Sequence, residues 1–171
     1  MRIYRCAVLA LVAFSLGALP VAAQDAVEVT PWVALGSIAA SPIGVAVTCP
    51  ITPTISVETE VAYRRGEGDI NAMSTSTSLL WFLPRVDRAR PYVAGGVGLS
   101  QYGALLFSSD GRPIGTQPRL AMTVNAGGGV KLPMNDKLDL RTDARWFKSF
   151  GLHGSDQFRV AQGISFDVGK R

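Results

Sequence analysis

The 171-residue chain has very few of the side chains that build metal sites and disulfides, with two cysteines and one histidine. Cys6 lies in an N-terminal segment that we expect to be removed, so Cys49 has no partner for an intramolecular disulfide. Cys49 and His153 are far apart in the sequence and do not make a zinc site. The glycine-rich stretches at 95–98 and 127–129 fall inside predicted strands and are not phosphate loops. We therefore expect no metal and no cofactor.

Charge is also scarce, because only 18% of the residues are charged, against about 25% in typical soluble domains. The formal net charge of +4 is too small to indicate a nucleic-acid-binding surface. At 47% hydrophobic residues the chain is too apolar to be disordered. Its 18 glycines and 10 prolines disfavour a helical bundle.

Residues 1–23 have the pattern of a secretory signal peptide. Arg2 and Arg5 supply a positive start, and an uncharged apolar run extends from Ala7 to Leu19. That run is shorter than the roughly 20 residues that a membrane-spanning helix needs. We expect cleavage before Gln24, which leaves residues 24–171 as one exported domain.

The rest of the chain alternates between apolar and polar residues with a period of two, which is typical of β-strands. In 138–148, Leu140 and Trp146 share one face, while Arg141, Asp143 and Arg145 share the other. No segment after residue 24 has a convincing helical period, so the mature protein is predicted to be all-β. We predict eight strands, at about 27–38, 43–50, 55–65, 72–83, 91–103, 118–132, 138–149 and 157–168.

An internal repeat indicates how these strands are connected. Residues 47–63 align with 130–146 at a constant offset, and each copy reads as a strand, a proline-containing turn and a strand. Such repetition is typical of an antiparallel meander of hairpins. The proline-containing turns (50–54, 84–90, 133–137) then lie at one end, and the loops (39–42, 66–71, 104–117, 150–156) lie at the other.

An amphipathic meander of eight strands can close as a soluble calyx around an apolar ligand or as a membrane barrel with a polar interior. The apolar face favours the membrane barrel, because it mixes Thr, Ala and Gly with Leu and Val and carries aromatic residues near the strand ends. These positions indicate two aromatic girdles around a lipid-facing band. The girdle residues are Tyr63, Trp146 and Phe158 at the loop end and Trp81 and Phe166 at the proline-turn end.

The last predicted strand resembles the C-terminal signal that the outer-membrane assembly machinery reads. Gly163, Phe166 and Val168 carry the likeness. The strand departs from that signal in having Ala161 where a polar residue is usual, and in the three residues that follow Val168.

With this strand, residues 91–103 and 125–147 make the mature chain resemble the small outer-membrane β-barrel superfamily, the OmpA/OmpX/opacity-like eight-stranded proteins. The resemblance implies an all-β, eight-stranded antiparallel up-and-down transmembrane barrel in the cell outer membrane. It also implies periplasmic termini, short periplasmic turns and outward loops. It does not imply one activity, since the superfamily has structural, adhesive and enzymatic members.

The charged face should line a lumen that is only wide enough for side chains. We expect it to form a structural plug of paired charges, because buried charges need partners. A gated conduit for small ions is the alternative. The predicted lumen residues are Glu58, Glu60, Arg64, Arg119, Arg141, Asp143, Arg145 and Arg159.

His153 and Ser155 indicate an alternative function as a lipid hydrolase. Some eight-stranded outer-membrane barrels are lipid A deacylases with a His-x-Ser pair, and these two residues have that spacing. These residues fall in a predicted loop, and Asn does not follow Ser155 as that family would suggest. We therefore expect a monomeric, non-enzymatic barrel with a role in envelope structure or surface interaction. Its expected partners are outer-membrane lipid and the assembly machinery, with no nucleic acid. A lipid hydrolase and a soluble calyx remain as alternatives.

Overall fold

The computed structural model of the chain describes residues 27–35, 42–65, 72–107, 110, 112–150 and 155–168. Its strands are β1 (Glu28–Leu35), β2 (Ile43–Pro50), β3 (Ile55–Arg64), β4 (Ala72–Phe82), β5 (Arg90–Phe107), β6 (Pro113–Asn135), β7 (Leu138–Phe150) and β8 (Asp156–Asp167). Each strand pairs antiparallel with its sequence neighbours, and β1 pairs with β8 to close the barrel. The predicted all-β, eight-stranded up-and-down barrel is confirmed. The predicted signal peptide lies outside the described residues.

No helix among the described residues is long and apolar enough to cross a membrane.

Side chains alternate between the lumen and the outer surface as the sequence pattern predicts. On β7, Arg141, Asp143 and Arg145 are buried, whereas Trp146 is exposed. The outer face carries exposed aliphatic residues on every strand pair, among them Val33, Val45, Leu79, Val93, Val97, Leu120, Met122 and Ile164. Charge points inward and apolar surface points outward, which is the reverse of a soluble calyx, so that alternative is wrong.

All five residues of the predicted aromatic girdles are exposed on the outer face, near its two ends. On β8, Phe158 and Phe166 are eight residues apart, and Ile55 and Tyr63 have the same spacing on β3. At about 3.3 Å per residue and a strand tilt of about 40°, the enclosed band is roughly 20 Å high. This height suits a thin bilayer, and the lipid-contacting role of the girdles stays a prediction.

The predicted loop at 104–117 is wrong, because most of it is strand. Pairing between β5 and β6 continues through Gly103↔Pro118 to Phe107↔Pro113. Pro113 and Pro118 both lie in β6, although proline lacks the N–H that an interior strand needs. Before Met122, β6 has no β7 partner. The edge of β6 that faces away from β5 therefore needs no backbone N–H from either proline. The hairpin therefore extends beyond its neighbouring strands.

Trp32 packs inside the barrel against small residues on the neighbouring strands. A Cβ atom built on Gly44 would lie 2.5 Å from the indole, and one on Gly163 would lie 2.9 Å from the Trp32 Cβ. Ala46 and Ala161 belong to the same buried cluster. These small side chains leave the space that the indole fills at the seam between β8, β1 and β2.

A pair of adjacent glycines on β5 allows a direct test of the inward and outward faces. A Cβ at Gly96 would lie 2.2 Å from the Thr77 carbonyl oxygen, whereas a Cβ at Gly95 would meet only the Asn125 carbonyl oxygen, at 3.8 Å. We expect Gly96→Ala to lower the free energy of unfolding by about 1–3 kcal/mol, because backbone must move. Gly95→Ala should change it by less than about 0.5 kcal/mol. Urea unfolding of protein folded into lipid vesicles measures both, and equal midpoints would contradict the assignment of faces.

Candidate functional site

Glu58 on β3 lies at the centre of the charged lumen and is completely buried. Both terminal guanidinium nitrogens of Arg141 donate to its carboxylate, the longer hydrogen bond being 3.2 Å. Arg145 Nη2 donates to Glu58 Oε1 at 2.6 Å, and Thr48 Oγ1 donates to Oε2 at 3.0 Å. Because β3 and β7 are four strands apart in the ring of eight, these bonds cross the lumen from one wall to the other.

Asp143 is the second carboxylate between the same two arginines. Its Oδ2 accepts from Arg141 Nη2 at 3.0 Å and from Arg145 Nε at 3.1 Å. The Tyr92 hydroxyl donates to the same oxygen at 3.2 Å and accepts from Arg141 Nε at 2.7 Å. The two guanidinium groups are thus held by several charge-assisted bonds each, which fixes their orientation.

Arg159 and Glu60 form a bidentate pair nearer the loop end, and Arg159 Nη2 also lies 3.8 Å from Asp143 Oδ1. Arg159 Nη1 and Nη2 donate to the two Glu60 oxygens at 2.7 and 2.9 Å. The guanidinium also lies 4.1 Å from the centre of the Trp32 ring and 4.9 Å from that of Phe147. Ring faces attract a cation in such geometry, so aromatic contacts add to the ion pair.

A third ion pair, between Lys131 and Glu28, occupies the proline-turn end of the lumen. Lys131 Nζ lies 5.3 Å from the centre of the Phe82 ring, and the Arg90 guanidinium lies 4.0 Å from the same centre. The sequence prediction omitted this pair and also Tyr92. Lys131 could have been predicted as a lumen residue, because it falls on the same alternating face of β6 as Asn125.

Four acidic and four basic side chains therefore balance one another inside the barrel. A gap of about 10 Å³ beside Trp32, Asp143 and Arg159 is at the lower limit of what holds one water molecule. Paired charged side chains fill this part of the lumen. We call it the ion-pair layer: Glu28, Glu58, Glu60, Lys131, Arg141, Asp143, Arg145 and Arg159.

Arg64 and Arg119 do not belong to the ion-pair layer, which corrects the prediction of one network of eight residues. Arg64 is the last residue of β3 and is exposed. Arg119 pairs with Tyr102 in the extended hairpin, beyond the end of the β6–β7 pairing. Neither has an ion pair with another described residue. Both follow the inward alternation, but they lie too close to the loop end to reach the buried carboxylates.

A cavity of about 250 Å³, here called the vestibule, opens at the loop end of the lumen. Ser155 lines it, and its carbonyl oxygen accepts a hydrogen bond from the Ser149 amide at 2.9 Å. His153 lies outside the described residues. The proposed His153 and Ser155 pair therefore stays a prediction. The vestibule is lined by residues from β3 to β8, including Arg64, Ser74, Ser100, Tyr102, Thr123, Phe147, Ser149, Gln157 and Arg159.

The proposed assembly signal lies in the strand that closes the barrel. Phe166 and Val168 are exposed on the outer side, and Phe166 is opposite Val29 of β1. Gly163 is opposite Trp32, where a Cβ would lie 2.5 Å from the Pro31 carbonyl oxygen. Glycine is therefore required there for packing, and recognition by the assembly machinery stays a prediction.

The part of the chain that the structure describes contains no group of three His, Cys, Asp or Glu side chains placed to hold a metal ion.

Neither a protein-family model nor a curated protein matches the sequence. Solved structures match its fold. The N-terminal β-barrel domain of Pseudomonas aeruginosa OprF has a TM-score of 0.59 at 18% identity, over 84% of this chain and 98% of that one. Neisserial surface protein A (NspA) has a TM-score of 0.62 at 12% identity, over 82% of this chain and 94% of that one. The fold is that of a small outer-membrane β-barrel.

A major outer membrane protein of Thermus thermophilus gives the same result, with a TM-score of 0.62 at 11% identity over 82% of this chain and 99% of that one. Identities this low concern the fold alone. The apolar outer band and the charged lumen agree with that fold, and so does the expected location in the outer membrane. One fold of this kind can carry different activities, so the role must be argued from the lumen and the surface.

Proposed function

We propose that the chain is a non-enzymatic outer-membrane barrel with a closed lumen, and that its role lies in envelope structure or in surface interaction. The ion-pair layer carries this proposal. An eight-stranded barrel has an interior just wide enough for side chains, and here that interior is filled by paired charges with full hydrogen bonding at Glu58. Opening a path would separate buried pairs, at a cost of several kcal/mol for each stranded charge.

Outer-membrane lipid is the first partner that this proposal assigns. Between Trp146 and Leu138, the outward positions of β7 are Leu140, Thr142 and Ala144, all uncharged. Closure through β1 and β8 leaves no free strand edge within the band, which removes the usual reason for edge-to-edge association. A monomer that the assembly machinery inserts into lipid is consistent with both features.

The extended hairpin of β5 and β6 supports the surface-interaction part of the proposal. Beyond Tyr102 on β5 and before Met122 on β6, the two strands pair only with each other. The hairpin thus continues past the part of the barrel that its neighbours stabilise. If the loop end faces outward, as the proposal requires, this hairpin would contact molecules outside the cell envelope.

Conductance in planar lipid bilayers tests the closed lumen. We expect the purified wild-type barrel to give no steady current, because the ion-pair layer blocks the lumen. Removal of Glu58 and Glu60 together, by Glu58→Gln with Glu60→Gln, should leave Arg141, Arg145 and Arg159 with fewer partners and produce brief current flickers. Asp110→Asn, which alters an exposed ion pair, serves as the control and should stay silent. Steady, porin-like channels from the wild-type monomer would contradict the proposal.

A further inference from the structure

The vestibule has a wall of neutral hydrogen-bonding groups. Small hydroxyl and amide side chains line part of it, namely Ser74, Ser100, Thr123, Ser149, Ser155 and Gln157. Tyr102, Phe147 and Met73 add apolar surface to the same cavity. Its volume of about 250 Å³ is slightly below the lower limit of about 300 Å³ for ordinary ligand pockets. A cavity of this size and lining suits one small polar molecule and not a lipid chain.

The charge of the vestibule comes from two guanidinium groups. Arg64 and Arg159 both line the cavity, and none of its described lining residues is acidic. Arg159 uses Nη1 and Nη2 for Glu60, whereas Arg64 has no ion pair among the described residues. Arg64 is therefore the cation of the vestibule that no described carboxylate neutralises, and a cleft whose free charge has one sign concentrates ions of the opposite sign. The vestibule should therefore attract anions.

The buried polar atoms without partners point in the same direction. Arg159 is 7% exposed and lines both the vestibule and the small gap below it, and its buried Nε has no acceptor. Trp32 Nε1 and Asn125 Nδ2 are further buried donors without acceptors. The carboxylate oxygen Asp143 Oδ1 is the one pure acceptor in this group of described atoms, and Ser76 Oγ can act either way. Arg159 is the one residue of this group that lines the vestibule, and its free group is a donor, so the vestibule favours a ligand that brings acceptors.

We propose that the vestibule binds a small sugar acid. Its carboxylate would pair with the Arg64 guanidinium, because charge-assisted hydrogen bonds are the strong ones. Its hydroxyl groups would bond to the serine and threonine side chains of the wall. Its C–H face would pack on Tyr102 and Phe147, since binding sites combine apolar walls with a few placed polar groups. This site shares Arg159 with the ion-pair layer, but its test does not depend on whether the lumen conducts ions.

Isothermal titration of the full mature barrel in nanodiscs, with D-glucuronate as the probe, tests this inference. D-Glucose and acetate serve as the comparison ligands, because one lacks the carboxylate and the other lacks the sugar hydroxyls. We expect saturable glucuronate binding that is at least about tenfold tighter than binding of either comparison ligand, a factor that corresponds to one good charged contact. The conductance measurement is separate, so failure of one proposal is distinguishable from failure of the other.

Two variants and a matched control locate the binding. Arg64→Gln removes the exposed cation of the vestibule and should weaken glucuronate binding about tenfold, with unchanged folding as judged by heat-modifiable gel mobility. Ser100→Leu adds bulk to the wall and should also weaken it. Lys148→Gln removes a cation from the outer surface near Trp146 and should have no effect. Equal binding of glucose and glucuronate, unchanged affinity in both vestibule variants, or no saturable binding at millimolar glucuronate would overturn the inference.

Discussion

Glu58→Gln is expected to lower the free energy of unfolding of the barrel by about 3–5 kcal/mol, because it removes one charge from a buried ion-paired cluster. Glu58 is fully buried and binds Arg141, Arg145 and Thr48. Glutamine has the same shape, so the loss does not come from a cavity. It comes from leaving two arginines with Asp143 as their remaining carboxylate. Urea unfolding of protein folded into lipid vesicles measures the change.

Asp110→Asn is the matched control for Glu58→Gln. It removes the same charge from a pair with Arg112 at 3.5 Å, in which both side chains are largely exposed. Exposed pairs contribute about 0–1 kcal/mol, so this variant should unfold almost like the wild type. If both variants lost the same stability, the buried cluster would contribute no more than a surface pair. The ion-pair layer would then not be what stabilises the lumen.

The central contact of the lumen was partly encoded in the internal repeat. Glu58 and Arg141 occupy equivalent positions of its two copies, and so do Glu60 and Asp143. The copies form β3 and β7, which face each other across the barrel. The opposite charges of Glu58 and Arg141 therefore meet at the axis. Alternation determines which face each residue occupies, and this is why Glu58, Arg141 and Arg145 were predicted to lie together inside.

Other parts of the site depend on long-range geometry that alternation does not contain. Glu60 on β3 pairs with Arg159 on β8, which is 99 residues later in the sequence. Which side chains meet across the lumen depends on the stagger of the strands around the barrel. The same stagger decides that Arg64 ends above the ion-pair layer although it shares a face with Glu60. The extended hairpin was missed because β5 and β6 continue to pair with each other beyond their neighbours, which alternation within a single strand does not show.

Val97→Arg is expected to lower the free energy of unfolding by about 2–4 kcal/mol, which is the cost of an arginine near the middle of a bilayer on a lipid-facing strand. Val97 is 62% exposed on the outer face. It is paired with Thr77, which is midway between Met73 and Trp81 on β4. The position is therefore at the centre of the predicted lipid band, where the guanidinium cannot easily reach an interface.

Val86→Arg provides the comparison for Val97→Arg, because it puts the same side chain at an equally exposed valine outside the band. Val86 is 69% exposed and lies in the tight turn that it closes with Ala89. Arginine costs only about 0–1 kcal/mol near an interface, so this variant should stay close to the wild type in vesicles. The difference between the two variants should shrink in detergent micelles, which adapt to a charge more easily than a bilayer. Equal stability of the two variants in vesicles would mean that Val97 does not face lipid, and the outward assignment of the apolar face would fail.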